Sequence, residues 1–136
     1  MTDVTQYIPQ RAPFVMIDEI ITAEEHLSKT SFTVRKGHLF VDNGKFTEAG
    51  LVENMAQTVA AGAGYRGTEN GEKVSVGYIG ALKNLKIDKL PSVGDTITTE
   101  VSFLHHIANV HVVQGRVYLG EEEIAGCEMK IFIQPS

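Results

Sequence analysis

The chain has 136 residues, of which 43% are hydrophobic and 21% are charged, and its formal net charge is −5. This length suits one domain over residues 1–136, and the composition is that of an ordinary globular protein. The negative charge argues against a general nucleic-acid binder, which would normally be basic.

The composition also bears on the cellular compartment. Cys127 is the only cysteine, so no internal disulfide can form, which fits a reducing cytoplasm. The first ten residues have neither a basic start nor an apolar run, so they do not predict a signal peptide. No stretch reaches the ~18 apolar residues of a membrane span. We therefore expect a cytoplasmic protein that has no membrane partner.

The N-terminal third predicts strands and a loop. A dense apolar run predicts a strand over residues 14–21, and an alternating pattern predicts a second strand over residues 26–34. The segment that follows has the composition of a loop, in which Asn43-Gly44 marks a tight turn.

A long helix comes next, followed by more strands. Thr47 is a good N-cap, and the loop-like composition after Tyr65 predicts that the helix ends at about that residue. Four strand-like stretches separated by short gaps predict an antiparallel meander over residues 74–87, 96–104, 110–119 and 123–133. One long helix with this many strands requires the sheet to curl around it.

The predicted helix carries its large and its small side chains on different faces. At 100° per residue, Leu51, Met55 and Val59 form a stripe suited to a core. Glu53 and Gln57 lie one turn apart on the other side, among glycine and alanine residues. Glycine in a helix costs about 0.5–1 kcal/mol relative to alanine, so these positions need a reason. Close packing and room for a ligand are the two explanations, and the helix pattern by itself favours packing.

Three histidines lie in or beside a predicted hairpin, namely His105, His106 and His111. A metal site is one interpretation, but no acidic or cysteine partner has ligand spacing, so turn and strand-face histidines fit better. No glycine-rich phosphate loop is visible either. We predict neither a metal nor a cofactor.

Four segments, in the same order, resemble hotdog-fold proteins and most closely the FabZ-type 3-hydroxyacyl-[acyl carrier protein] dehydratases. They are IPQRAPFVMIDEI, KGHLF, FTEAGLVENMAQ and LKNLKIDKLPSVGDTITTEVSF. The Glu-x-Met-Ala-Gln segment and the Gly-Asp turn are fairly specific as a pair. The resemblance implies an α+β hotdog fold, in which an antiparallel sheet wraps around one long central helix, and it implies a dimer.

The resemblance also implies a site for acyl thioesters of acyl carrier protein or CoA, in fatty-acid or polyene-type synthesis. It assigns His38 as the base and Glu53 as the acid, from different subunits of the dimer. Gln57, Ala49 and Gly50 take substrate-binding positions. A neutral imidazole can remove a proton near pH 7, and a carboxyl group in an apolar site can protonate a departing hydroxyl group.

Two other functions stay open. One is a hotdog acyl thioesterase, in which Glu53 activates water or acts as a nucleophile. The other is a non-catalytic acyl-binding subunit that pairs with an active hotdog partner. Thr47-Glu48 replaces the family's Pro-Gly and so removes a glycine whose amide would help to bind the thioester carbonyl, which favours the non-catalytic subunit. The retained Glu53 and Gln57 favour an enzyme, and we predict a dehydratase that forms a homodimer or higher homo-oligomer, with a heterodimer as the alternative.

Overall fold

A computed structural model describes residues 3–8, 10–69 and 76–134 of the chain. After a short 3-10 helix over Val4–Gln6, the described elements are β1 (Glu19–Ala23), β2 (Leu27–Thr33), β3 (Val41–Asp42), β4 (Lys45–Phe46), α1 (Glu48–Glu69), β5 (Val76–Ile87), β6 (Thr96–Ile107), β7 (Val110–Leu119) and β8 (Glu122–Gln134). The strand predicted over residues 74–87 corresponds to β5, and its predicted start at residues 74 and 75 lies outside the described residues.

The six longer strands form one antiparallel sheet, in the order β1-β2-β6-β7-β8-β5, while β3 and β4 form a small hairpin of their own. The core lies between this sheet and α1. Leu51, Met55 and Val59 are fully buried there, in one cluster with Val101 and Val113 of the sheet. The apolar stripe of the helix therefore packs as its periodicity predicts, and a sheet encloses one long helix.

The helix begins as predicted and ends later than predicted. The N–H of Gly50 donates to Thr47 Oγ1 at 3.2 Å, which is the N-cap bond. The helix continues to Glu69 instead of ending at Tyr65. Arg66 in its last turn donates to the carbonyl oxygen of Glu24 at 2.6 Å, so a contact with the sheet holds a segment whose composition predicts a loop.

The predicted meander is wrong for its first strand. β6, β7 and β8 pair in succession, whereas β5 pairs with β8. The link from β5 to β6 passes the β3–β4 hairpin, where the N–H of Phe46 donates to the carbonyl oxygen of Pro91 at 2.8 Å. Pro91 has no N–H to give to a ladder, and the chain leaves the sheet here instead of turning tightly. β5 is consequently an edge strand.

The first predicted strand is wrong over its first half, because β1 begins only at Glu19. Residues 14–16, here called the strap, run along the helix instead. The N–H of Met16 donates to Gln57 Oε1 at 2.8 Å, and the carbonyl oxygen of Met16 accepts from Asn54 Nδ2 at 2.8 Å. Side chains of the helix thus make the hydrogen bonds that a neighbouring strand would have made.

Asn54 also connects the strap to the sheet. Thr99 Oγ1 donates to Asn54 Oδ1 at 2.5 Å. Thr58 Oγ1 donates to the carbonyl oxygen of Asn54 at 2.9 Å and lies 2.8 Å from Thr30 Oγ1. These side chains are buried, where a polar group without a partner is costly. The network therefore fixes the rotation of the helix against the sheet.

Three glycines of α1 are explained by close packing, and two of them, Gly50 and Gly64, lie on its small face. A Cβ atom on Gly50 would lie 2.8 Å from the ring of Phe46, and one on Gly64 would overlap the carbonyl oxygen of Tyr7. A Cβ atom on Gly62 would overlap the hydroxyl group of Ser28. At these three positions, close approach of another element explains the glycine, and room for a ligand does not.

The substitution Gly64→Ala tests this packing. It should lower the free energy of unfolding by about 1–3 kcal/mol, the usual cost of overpacking a filled site. In a free helix the same change would stabilise by about 0.5–1 kcal/mol. Urea unfolding followed by circular dichroism measures the difference. The neighbouring Ala63→Gly is the control and should cost no more than about 1 kcal/mol; a more stable Gly64→Ala protein would contradict the packing.

Asn54→Ala tests the buried network. It leaves the Met16 carbonyl and the Thr99 hydroxyl without their partner, so the free energy of unfolding should fall by about 2–4 kcal/mol. Asn109→Ala in the exposed β6–β7 turn should change it by about 0.5 kcal/mol or less. Equal losses in urea denaturation of the two variants would show that the network does not stabilise the fold.

Candidate active site

Glu53 and Gln57 lie one turn apart on α1, next to the strap. Gln57 is fully buried, and its Nε2 donates to the carbonyl oxygen of Phe14 at 2.8 Å and to Glu53 Oε1 at 3.3 Å. Its Oε1 accepts from Met16, so each polar atom of the amide has a partner. The half-buried carboxyl group of Glu53 is thus connected to the strap through Gln57.

The surroundings of Glu53 favour its protonated form. Burial raises the pKa of the Glu53 carboxyl group above its ordinary value, and the hydrogen bond from Gln57 opposes that rise more weakly. A carboxyl group with a raised pKa is suited to act as a general acid. The direction agrees with the role that the resemblance assigns to Glu53.

His38 lies in the loop between β2 and β3. The N–H of Phe40 donates to its Nδ1 at 3.1 Å, so Nδ1 carries no proton. Its Nε2 lies 3.3 Å from the carbonyl oxygen of Val15, which fits an Nε2–H donor. The ring meets those of Phe32 and Phe46 edge-on, at centroid distances of 5.6 and 6.0 Å. The loop therefore holds a neutral imidazole against an aromatic wall.

The strap is the feature that His38 and Glu53 share. His38 contacts it at Val15, and Gln57 holds its other two residues next to Glu53. Both side chains are described, and no hydrogen bond or ion pair joins them within the chain. Sequence reasoning missed the strap because it predicts a strand there. The one feature of the sequence that could have indicated the strap is the pair Asn54 and Gln57, whose amide side chains lie beside the core stripe and need hydrogen-bond partners.

Ala49 and Gly50, the two other predicted substrate-binding residues, differ in exposure in the first turn of α1. Gly50 is buried and its N–H is already bonded to Thr47, whereas Ala49 is exposed. Within the described residues, the N–H groups of Glu48 and Ala49 have no partner, because the first bond inside the helix runs from Leu51 to Thr47. Free N–H groups at a helix start can bind a developing oxyanion.

His111 lies in a strand as predicted, whereas His105 and His106 lie in a strand where a gap was predicted. His105 and His106 belong to β6, which continues past Leu104 to Ile107, and the chain turns at Ala108, whose φ is 55°. In the part of the chain that the structure describes, no group of three or more His, Cys, Asp or Glu side chains could hold a metal ion. Over the same residues, no helix is long and apolar enough to cross a membrane.

Comparison with known proteins decides the family. A family model described as ApeP-like, ApeP dehydratase, matches residues 2–136. The chain belongs to the ApeP-like family. It also matches the 3-hydroxyacyl-[acyl-carrier-protein] dehydratase FabZ of Clostridium kluyveri, with 25% identity over 137 residues that cover 96% of this chain and 93% of that protein. The FabZ of Wolbachia sp. subsp. Brugia malayi is 23% identical over 143 residues, covering 98% and 96%.

Solved structures show the same fold. The dehydratase heterocomplex ApeI:P from Xenorhabdus doucetiae matches with a TM-score of 0.91 at 18% identity, over 100% of this chain and 93% of that one. A hypothetical thioesterase from Streptococcus pneumoniae TIGR4, solved with coenzyme A, matches with a TM-score of 0.68 at 12% identity, over 87% and 89%. The predicted hotdog fold and the FabZ-like, dehydratase-type character of the ApeP-like chain are therefore confirmed.

The pH dependence of stability tests the environment of Glu53. Because the pKa of Glu53 is raised on folding, the folded chain binds more protons than the unfolded chain between the ordinary and the raised pKa, and stability falls as pH rises through that interval. Glu53→Gln removes this loss, so its stability relative to wild type should rise with pH above the ordinary glutamate pKa and then level off. Urea unfolding from pH 4 to pH 8 measures it. For Glu121→Gln, at an exposed turn, the difference should stay flat; the same flat result for Glu53→Gln would contradict the raised pKa.

Proposed function

We propose that this ApeP-like chain dehydrates 3-hydroxyacyl thioesters, with Glu53 as the acid and His38 as the base. The observation that carries the proposal is the state of Glu53. It is a half-buried carboxyl group with a raised pKa, and its one hydrogen bond within the described residues comes from Gln57. The FabZ relatives, whose name states a 3-hydroxyacyl-[acyl-carrier-protein] substrate, support the same chemistry.

The reaction removes a proton and a hydroxyl group from neighbouring carbon atoms. His38 takes the proton from the carbon next to the thioester carbonyl, and that electron pair forms the carbon–carbon double bond. Glu53 gives its proton to the departing hydroxyl group, which leaves as water. The products are an enoyl thioester and water. Transfer of a proton from the imidazolium of His38 to the carboxylate of Glu53 restores the starting state.

His38 must change its hydrogen bonds to act as the base. In the free chain Nδ1 accepts from Phe40 and Nε2 donates towards Val15, so neither nitrogen offers a lone pair to a substrate. The Nδ1–H tautomer frees Nε2 and requires the Phe40 amide to turn away. Catalytic hydrogen bonds often rearrange when a substrate enters, and the 3.3 Å contact with Val15 is the weaker of the two.

The thioester oxygen gains negative charge during the reaction, and two backbone N–H groups of α1 can donate hydrogen bonds to it. The N–H groups of Glu48 and Ala49 are the free donors at the helix start, where the helix dipole also favours a negative charge. Replacement of the family's Pro-Gly by Thr47-Glu48 keeps a backbone N–H at the same place. In this proposal Ala49 binds the substrate directly, while Gly50 provides close packing for Phe46.

The complete site contains a second hotdog subunit. β5 is an edge strand, and Tyr78 and Leu85 on it are 57% and 44% exposed. Beside the site, Phe14 and Leu39 are also half-exposed, at 50% and 54%. A second subunit along β5 would cover apolar surface and pair the open edge. It would also explain why no hydrogen bond or ion pair joins His38 and Glu53 of one chain.

The second subunit is either another copy or a different hotdog chain. The heterocomplex in the name of ApeI:P supports the second choice, in which this chain contributes part of a shared site or serves as a non-catalytic partner. The dimeric state and the cytoplasmic location stay predictions. The thioesterase alternative is distinguished by its products.

Product analysis tests the reaction. The protein, alone and with a hotdog partner subunit, is incubated with a 3-hydroxyacyl-[acyl carrier protein], and mass spectrometry follows the enoyl product while a thiol reagent follows hydrolysis. Enoyl formation is expected, and Glu53→Gln should lower its rate by about 10²–10⁴-fold. Glu121→Gln should leave the rate unchanged. Thiol release without enoyl product would contradict a dehydratase and favour a thioesterase.

Mixing two inactive variants tests whether the site is shared between copies. A mixed dimer of His38→Ala and Glu53→Gln chains has one site with both wild-type residues, if these residues come from different subunits. Activity should therefore return on mixing, to a substantial fraction of the wild-type rate. Native mass spectrometry verifies that mixed dimers form. Mixed dimers without activity would contradict a site shared between two copies.

A further inference from the structure

A cavity lies at the opposite end of α1 from the candidate active site. Arg66, which lines it, is about 20 Å along the helix axis from Glu53 at 1.5 Å per residue. The cavity has a volume of about 200 Å³, and the residues that line it are Glu25, His26, Arg66, Phe103, Leu104, His105, His106 and His111. The proposed dehydration uses none of them.

Arg66 lines this cavity, where burial lowers the pKa of its guanidinium and the negative charge of Glu25 opposes that more weakly. The guanidinium carbon atom lies 5.1 Å from the ring centroid of Phe103, and its Nη1 donates to the carbonyl oxygen of Glu24. No described carboxylate forms an ion pair with it. This cation–π contact and the hydrogen bond to Glu24 position the guanidinium, and its other N–H groups stay available to an oxyanion.

Two imidazoles also line the cavity. The rings of His106 and His111 are stacked, with centroids 5.2 Å apart and planes 18° apart, and Phe103 meets His111 edge-on. The pKa of His111 is lowered, first by burial and then by the positive charges of His106 and Arg66. Protonation of this pair therefore brings like charges together, and an anion between them would relieve the repulsion.

We propose that the cavity binds an oxyanion of the phosphate type, free or as a phosphate ester, between Arg66 and the stacked pair of His106 and His111. The guanidinium supplies a permanent charge and directed donors, and the imidazoles add donors and charge when they are protonated. A cation would meet the guanidinium of Arg66, which makes a metal ion the wrong ligand for these residues.

The site depends on pH through the histidines that face it. His105, His106 and His111 come from the β6–β7 hairpin, His26 and Glu25 come from the β1–β2 turn, and Arg66 comes from α1. Glu25 lies 4.0 Å from His26, and both are exposed at the rim. Loss of a proton from His111 removes positive charge from the cavity as pH rises, so anion affinity falls.

Sulfate is the appropriate first probe because its charge is constant across this pH range. The full chain is titrated with sulfate at pH 6 and at pH 8, and the ring signals of the histidines are followed by ¹H–¹³C NMR at constant ionic strength. The signals of His106 and His111 should shift and that of His38 should not, and binding should be tighter at pH 6 than at pH 8. Absence of these shifts at pH 6 would overturn the proposal.

Variants separate the site from general charge effects. Arg66→Gln, and separately the double variant His106→Gln with His111→Gln, should each weaken sulfate binding about tenfold or more. Arg116→Gln is the matched control, since Arg116 is paired with Glu123 away from the cavity. Thermal unfolding without sulfate verifies that each variant folds. If the Arg66→Gln protein does not fold, the double variant alone tests the site. Equal binding by wild type and the double variant would overturn the proposal.

The source of the oxyanion is decided by three further titrations. Inorganic phosphate and 4′-phosphopantetheine are compared with pantetheine, which has no phosphate. Binding of both phosphates supports the site, and a tighter ester identifies a phosphate ester as the ligand. Binding of pantetheine equal to that of its phosphate would contradict an oxyanion site. Histidine shifts with Zn²⁺ and none with any anion would make the cavity a metal site instead.

Discussion

The rest of the site depends on the hydrogen bonds by which two amide side chains fix the strap. Asn54 and Gln57 project from consecutive turns of α1 and take both hydrogen bonds of Met16, while Gln57 also bonds Phe14. Between these anchors, Val15 presents its carbonyl oxygen to His38. Thr99 ties Asn54 to the sheet, so the positions of the helix, the strap and the His38 loop are set together. Each of these groups is costly to bury without its partner, which makes the arrangement specific.

This constraint explains how one helix serves both as core and as candidate active site. Its large side chains pack against the sheet, and its glycines admit Tyr7, Ser28 and Phe46 at close range. Glu53 lies between these surfaces, where burial raises the pKa of its carboxyl group. A polar residue in such a place is expected to have a function. Membership of the ApeP-like family is consistent with acid catalysis in a dehydration.

Local patterns predicted the local features of this fold. Thr47 caps α1, and Asn43-Gly44 makes the β3–β4 turn with φ angles of 51° and 76°, as their residue types require. Helix periodicity placed Glu53 on the small face of α1, but only the resemblance pointed to His38 and assigned roles to both residues. The strap was not predicted because an apolar run predicts a strand. The sequence pattern is the same whether a neighbouring strand or two amide side chains make the hydrogen bonds of the backbone. The place of β5 and the late end of α1 were not predicted because both depend on contacts between residues far apart in the chain.

The central claim is that Glu53 and His38 act on one 3-hydroxyacyl thioester within an assembly of hotdog subunits. A crystal structure of the assembled protein with a non-hydrolysable 3-hydroxyacyl thioester analogue tests it most directly. We expect the hydroxyl group of the analogue within hydrogen-bond distance of Glu53, and the imidazole of His38 from the other subunit facing the carbon next to the carbonyl. A hydroxyl group bound away from Glu53, with His38 still bonded to Phe40 and Val15, would contradict the account.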